Sequence, residues 1–445
     1  MFSELARTVA AGQELGPAEM PGLVDALGDA AQPVGERADF LIAWAIRGES
    51  PAEVAALASE LRNRSVAVPL PESFRQSREI LDVCGTGGDG AHSLNISTAV
   101  AIVVAACEVP VAKHGNRAAS SKAGAADTLE ALGLNLDRAS DRAEATLADL
   151  GICFLFAQKH HPALAPLAPI RKALGRRTIF NLTGPLANPA GVRRQLIGVA
   201  QPNLLPIYAA AMAELEYDAA MLVAGDEPLD EISVCGPSTC LTLGAQPIRV
   251  QPEDLDLTRH APEALRGGDP AYNAAALQRL LAGEAGAYRD AVLINAAAAL
   301  MVAGHADSLA SGVEEAAEAL DLPIYLHPNT PPKSMIGPMV EAGLDGAIFG
   351  FGVETGFHML RIITAGVFDR FPKLQIIIGH MGEALPYWLY RLEYMHNAGV
   401  KAARYECLKP LQRKIGDYLR ENVYVTNSGM AWEPAIKFAQ QICGV

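Results

Sequence analysis

Apolar positions recur at helical spacing from residue 1 to about 73, broken by polar turns at Gly16-Pro17 and Gly48-Glu49-Ser50-Pro51. Ser50, Pro51 and Glu53 make a helix start: a hydroxyl cap, a proline in the first turn and an acid three residues on. The pattern then changes. Glu79–Val83 is a short apolar strand that runs into glycines. From there strand-like and helical runs alternate: VPVAKHG, a loop of Gly, Ala and Ser, a helix around Asp127–Leu132, then ICFLFA. That alternation predicts an α/β domain with a mostly parallel sheet. Proline-rich helical sequence from His161 to Gly175 interrupts it, and strands return at QLIGVA and AAMLVAG. The apolar stretches near Ala99–Ala106 and Ala291–Ala303 are too short or too interrupted to span a bilayer, so they predict buried helices.

Near residue 320 the pattern shifts again. Upstream the chain is rich in Ala and poor in aromatics; downstream it carries more than half of all Phe, Tyr and Trp. No Gly/Ser/Pro linker marks the change. Three strand-like pieces follow: Tyr325-Leu326-His327-Pro328, Ile378-Gly379-His380-Met381-Gly382-Glu383 and Val423-Tyr424-Val425-Thr426-Asn427-Ser428-Gly429. Each is a strand ending in polar residues, as at the C-terminal face of a (β/α)8 barrel. With 445 residues, two or three domains are expected.

Charge and cysteine usage narrow the function classes. A net charge of -14 argues against a general nucleic-acid binder, which needs a basic face. The N-terminus lacks a basic region followed by an apolar run, so no signal peptide is expected. Seven scattered cysteines without a Cys-x-x-Cys pair fit a reducing cytoplasm. No membrane or nucleic-acid partner is expected.

The chemistry concentrates after the first strand. In Gly85-Thr86-Gly87-Gly88-Asp89-Gly90 the glycines let backbone N–H groups close on an anion. Asn95-Ile96-Ser97-Thr98 precedes an apolar helix, where Ser97 or Thr98 would cap an N-terminus that favours phosphate. Lys113 and Arg117 bring positive charge to a strand end, where α/β sheets hold ligands. Asp230 and Glu231 are adjacent carboxylates with no basic sequence neighbour, and a divalent cation would relieve their repulsion.

Taken together and in order, GTGGD, NIST, KHGNRAASS, RKALGRRTIFNLTGPLANP and LDEIS resemble the anthranilate phosphoribosyltransferases over about residues 1–320. The resemblance implies a helical dimerisation domain over 1–73, with a returning segment near 165–190. It implies an α/β domain of the phosphoribosyltransferase/nucleoside-phosphorylase type over 74–320, with the active site in the cleft between the two domains. Gly85, Thr86, Gly87, Gly88, Asp89, Asn95, Ser97, Thr98, Lys113 and Ser121 would bind phosphoribosyl pyrophosphate. Gly85, Asn116, His161 and Arg171 would line the anthranilate path. Ser97, Asp230 and Glu231 would hold Mg²⁺, the expected cofactor. Arg171, Asn116 and Lys113 are the expected catalytic set, in a homodimer that takes anthranilate and phosphoribosyl pyrophosphate as substrates. Ala224 and Pro228 stand where the family more often has His and Gly, and Ser93-Leu94 where it has Thr-Phe. The family's last helix is expected to be missing.

Residues 321–445 resemble a second family, the amidohydrolase-superfamily decarboxylases of hydroxybenzoates. That implies a partial barrel with His327 as a metal ligand and His380 as an acid/base. The first-strand ligand pair and the last-strand Asp of that family have no counterpart here, so an inactive tail is expected. Three alternatives stand beside the transferase: a nucleoside phosphorylase-like enzyme, a decarboxylase, and an inactive chimeric chain.

Overall fold

A computed structural model describes residues 2–444 apart from 69, 71–73, 75–78, 119–121, 322–323, 327–338, 345–348, 371, 373, 404, 406–407 and 429–431. Contacts divide the chain into two compact units, Met1–Leu320 and Asp321–Val445.

The first unit opens with four helices, Phe2–Ala10, Met20–Gly28, Val34–Arg47 and Pro51–Asn63. The last starts as the sequence predicts. Ser50 Oγ accepts from Glu53 N at 3.3 Å, and Glu53 Oε2 accepts from Ser50 N at 2.9 Å. Seven strands follow: β1 (Leu81–Gly85), β2 (Val111–Gly115), β3 (Ile152–Phe156), β4 (Arg194–Gly198), β5 (Ala219–Gly225), β6 (Ser238–Thr242) and β7 (Ile248–Val250). Strand β1 lies two residues later than Glu79–Val83, because its pairing with β4 continues to the glycine pair Gly85 and Gly198. The sheet order is β3-β2-β1-β4-β5-β6-β7. The first five strands are parallel, and β6 and β7 return antiparallel.

The central strands are buried on both faces, which is why they are continuous apolar runs rather than alternating ones. Leu81, Val83, Leu196, Met221 and Val223 face a core built with helices Ile96–Ala106 and Ala287–Ala303. Cys84, Ile197, Leu222 and Ala224 face the other core, shared with Phe2, Trp44, Leu57, Leu182 and Tyr208. On that second face two polar residues are fully buried, Asp82 and Gln195. They survive there because they satisfy each other: Gln195 Nε2 donates to Asp82 Oδ2 at 2.9 Å and to Pro185 O at 2.8 Å. Tyr217 OH donates to Gln195 Oε1 at 2.9 Å, and the Arg62 guanidinium lies 5.1 Å over the Tyr217 ring. Parallel alignment brings the C-terminal ends of β1, β2, β4 and β5 to one edge, the edge at which open α/β sheets hold ligands.

The second unit has an open parallel sheet in the order β10-β9-β8: β8 (Ile324–Leu326), β9 (Ile376–Ile378) and β10 (Val423–Val425). Its core joins Met359, Ile363, Phe368, Ile376, Ile378, Leu385 and Tyr418. Helix Leu385–Lys401 leaves Tyr387, Trp388, Tyr390 and Tyr394 exposed. Three parallel strands with helices between them are the pattern expected of a piece of a barrel.

Candidate active site

The glycine loop after β1 has two kinds of glycine. Gly87, Gly88 and Gly90 have φ of 65°, 77° and 80°, a left-handed backbone that other residues adopt at a cost. Gly85 does not; its place is set by what lies beside it. The loop is tied to the end of β4, since Thr86 N donates to Gly198 O at 2.9 Å and Ala200 N donates to Thr86 Oγ1 at 3.1 Å. It is tied to the loop after β5 as well: Gly87 N donates to Asp230 Oδ2 at 2.7 Å. Asp230 N approaches Asp89 Oδ2 at 3.4 Å. Thus a glycine loop and a carboxylate 143 residues apart are one structure.

Burial, and then the nearby Asp89 carboxylate, push the Asp230 carboxyl up to about 8. Glu231 is 6% exposed and is raised well above the usual carboxylate range, by burial first and then by Asp230; the Lys113 ammonium pulls it back down. Neither carboxylate has an ion-pair partner among the described residues. A buried acidic pair in this condition fits a divalent cation. Among the described residues no three of His, Cys, Asp and Glu stand where they could hold a metal alone. Two carboxylates completed by substrate phosphate oxygens is the usual arrangement for Mg²⁺. Pro228 and Ala224 do not open the loop: Gly225 N donates to Leu229 O at 3.1 Å, closing the turn.

The helix after the glycine loop runs Ile96–Ala106 with Asn95 at the N-cap position and no side-chain cap. This corrects the expectation that Ser97 or Thr98 caps it: both lie inside the first turn. Asn95 itself is occupied within the protein, its Oδ1 accepting from Asn273 Nδ2 at 2.9 Å. Thr98 Oγ1 is buried without a partner among the described residues. Ser97 Oγ accepts from Lys113 Nζ at 3.2 Å. Lys113 is 3% exposed, and its Nζ also donates to Val83 O at 2.6 Å. Its charge therefore sits beneath the strand ends, next to Ser97 and Glu231.

Beyond β2, Asn116 is exposed, with Oδ1 accepting from Arg117 N at 2.8 Å. Arg117 is neutralised by Asp127 at 2.9 Å and Glu130 at 2.8 Å. Asp127 Oδ2 also accepts from Ala118 N and Gly124 N, each at 2.9 Å, and so closes the neck of the loop. Ser121 lies outside the described residues.

His161 is buried, and its Nε2 meets Ala187 O at 2.9 Å. Burial pushes it down to about 4. His114 packs edge-on against it at 5.3 Å between centroids, and burial lowers it too. Both rings are neutral near pH 7. Arg171 lies 5.4 Å over the Phe180 ring, and burial lowers its pKa. In the second unit His380 follows β9 and bonds through Nδ1 to Glu383. His380, Met381, Glu383 and Ala384 all have positive φ, a strained corner. His327 lies outside the described residues.

Sequence reasoning missed Gly198, Asp82, Gln195 and Asp127. A charged residue inside an apolar strand was the available signal for Asp82. Nothing local marks Gly198.

Three comparisons show what the chain is similar to. Family models match residues 3–65 ("Glycosyl transferase family, helical bundle domain") and 77–322 ("Glycosyl transferase family, a/b domain"). An "Amidohydrolase" model matches 242–406, overlapping the second match up to residue 322. Within that overlap β7 and helix Ala287–Ala303 pack in the first unit's core. An anthranilate phosphoribosyltransferase of Novosphingobium aromaticivorans is 59% identical over 287 residues, 64% of this chain and 85% of that protein. A Saccharomyces cerevisiae anthranilate phosphoribosyltransferase, solved in complex with PRPP and Mg, is 26% identical with TM-score 0.66, covering 72% of this chain and 93% of its own. A 5-carboxyvanillate decarboxylase structure from Novosphingobium aromaticivorans is 64% identical across 31% of this chain and 39% of its own, with TM-score 0.28. On the family model and the first of these relatives, the chain belongs to the anthranilate phosphoribosyltransferase family.

Proposed function

We infer that this chain transfers the phosphoribosyl group of 5-phosphoribosyl 1-pyrophosphate to anthranilate, releasing pyrophosphate, as a step of tryptophan biosynthesis. The observation that carries it is the joining of Gly87 N to Asp230 Oδ2 at 2.7 Å, which puts an acidic pair that forms no ion pair among the described residues beside an anion-cradling loop. Asp230, Glu231 and Ser97 Oγ would hold Mg²⁺. When bound, Mg²⁺ neutralises charge on the departing pyrophosphate. The amides of Gly85–Asp89 would bind the same anion.

Anthranilate needs placing more than activation, because its aromatic amine is already neutral at pH 7. Arg171 would pair its fork with the anthranilate carboxylate, and Asn116 would hold the ring's polar edge. His161 is neutral and bonded to Ala187 O, so it shapes this path rather than carrying a proton. Residues 1–73 would form the dimerisation domain of a cytoplasmic homodimer, and 74–320 the substrate domain. Among the described residues no helix is long and apolar enough to cross a membrane. Residues 321–445 would be catalytically inactive.

Anthranilate fluorescence after addition of phosphoribosyl pyrophosphate, with and without Mg²⁺, tests the activity. A Mg²⁺-dependent fall is expected, and no change would refute it. Asp230→Asn with Glu231→Gln should lose turnover and Mg²⁺ dependence together; full activity in that variant would remove the metal role.

A further inference from the structure

Strand β1 ends at Gly85, and its register partner on β4 is Gly198. Asp230 is seated against this pair of strand ends. A Cβ on Gly198 would overlap the carbonyl oxygen of Asp230 and lie 3.3 Å from its Cα. A Cβ on Gly85 would lie 2.8 Å from Asp230 Cγ and press on the carboxylate. Neither glycine has a positive φ. Their need for glycine is therefore contact and not backbone freedom, the reverse of Gly87 and Gly88, which have left-handed φ and open space around the missing Cβ.

We propose that Gly198, together with Gly85, is a positioning residue that carves the seat of Asp230 and thereby aims its carboxylate at the metal. The proposal rests on the assignment of Asp230 to Mg²⁺ given above. The two glycines act on different parts of Asp230. At Gly198 the obstacle is backbone, which cannot rotate away, so any side chain displaces residue 230 and breaks the Gly87 N–Asp230 Oδ2 bond. At Gly85 the obstacle is a carboxylate, which can rotate. Its displacement is smaller, and it vanishes if residue 230 is shortened.

Calorimetric titration of phosphoribosyl pyrophosphate into the full chain, at several Mg²⁺ concentrations, tests this without turnover. Thermal melting confirms that each variant is folded. Gly198→Ala should weaken the Mg²⁺-dependent binding by about 10–100-fold, the size usual when a group supporting a metal ligand is lost. Gly85→Ala should weaken it less, and should add nothing once Asp230→Ala is present. Wild-type binding in a folded Gly198→Ala chain would overturn the proposal. So would multiplying effects of Gly85→Ala and Asp230→Ala, since the added Cβ would then weaken binding by a route other than Asp230. If Gly198→Ala does not fold, the Gly85/Asp230 pair of variants decides. Asp230→Ala alone tests the underlying assignment: if it leaves the Mg²⁺ dependence intact, the metal reading fails, whatever the glycines do.

Discussion

Acidification should unseat His161, by an amount the structure sets. The ring is buried beside His114 and His160, and its Nε2 meets Ala187 O at 2.9 Å. Burial holds it near a pKa of about 4, against 6.5 for the ordinary side chain. A base whose folded pKa is depressed binds fewer protons folded than unfolded. Its contribution is intact above pH 6.5, is lost as pH falls from 6.5 to about 4, and changes no further below that. At about 1.4 kcal/mol per pH unit, the loss across that window is about 3 kcal/mol. His161→Gln keeps a donor for Ala187 O and removes the titrating ring. Urea unfolding of both proteins from pH 7.5 to 4 would measure the difference. The wild type should lose about 3 kcal/mol more than the variant across the window. Equal losses, or a His161 ring resonance that titrates near 6.5, would refute the argument.

Three further outcomes follow from named contacts. Tyr217→Phe leaves the buried Gln195 Oε1 without its donor and should cost about 1–3 kcal/mol by calorimetry; an unchanged melting transition would show that the bond contributes nothing. Arg171→Lys keeps the charge and loses the fork, so KM for anthranilate should rise about tenfold or more while KM for phosphoribosyl pyrophosphate stays put; equal values for both proteins would remove Arg171 from the anthranilate site. A chain cut after Leu320 should retain Mg²⁺-dependent consumption of anthranilate, because the first compact unit ends there; an inactive but folded product would show that the second unit is needed.

The elements whose causes are local were legible in the residues themselves. Strand-like apolar runs alternating with helical ones marked β2, β3, β4 and β5 as strands of a mostly parallel sheet. Ser50 and Glu53 marked a helix start by their own side chains. The glycine loop and the LDEIS carboxylates were legible as chemistry, since their residue types and adjacency carry the signal. What depends on pairing between distant segments was fixed by the packed fold. The β1–β4 register set Gly85 opposite Gly198 and moved the strand two residues from its apparent position. Packing between distant segments placed Asp230 on Gly87 N, buried Lys113 under the strand ends, and engaged Asn95 with Asn273. The buried chain from Arg62 through Tyr217 and Gln195 to Asp82 joins residues up to 155 positions apart. No local pattern encodes such partners, because a side chain's role there is fixed by which neighbour fills the space and satisfies its polar atoms.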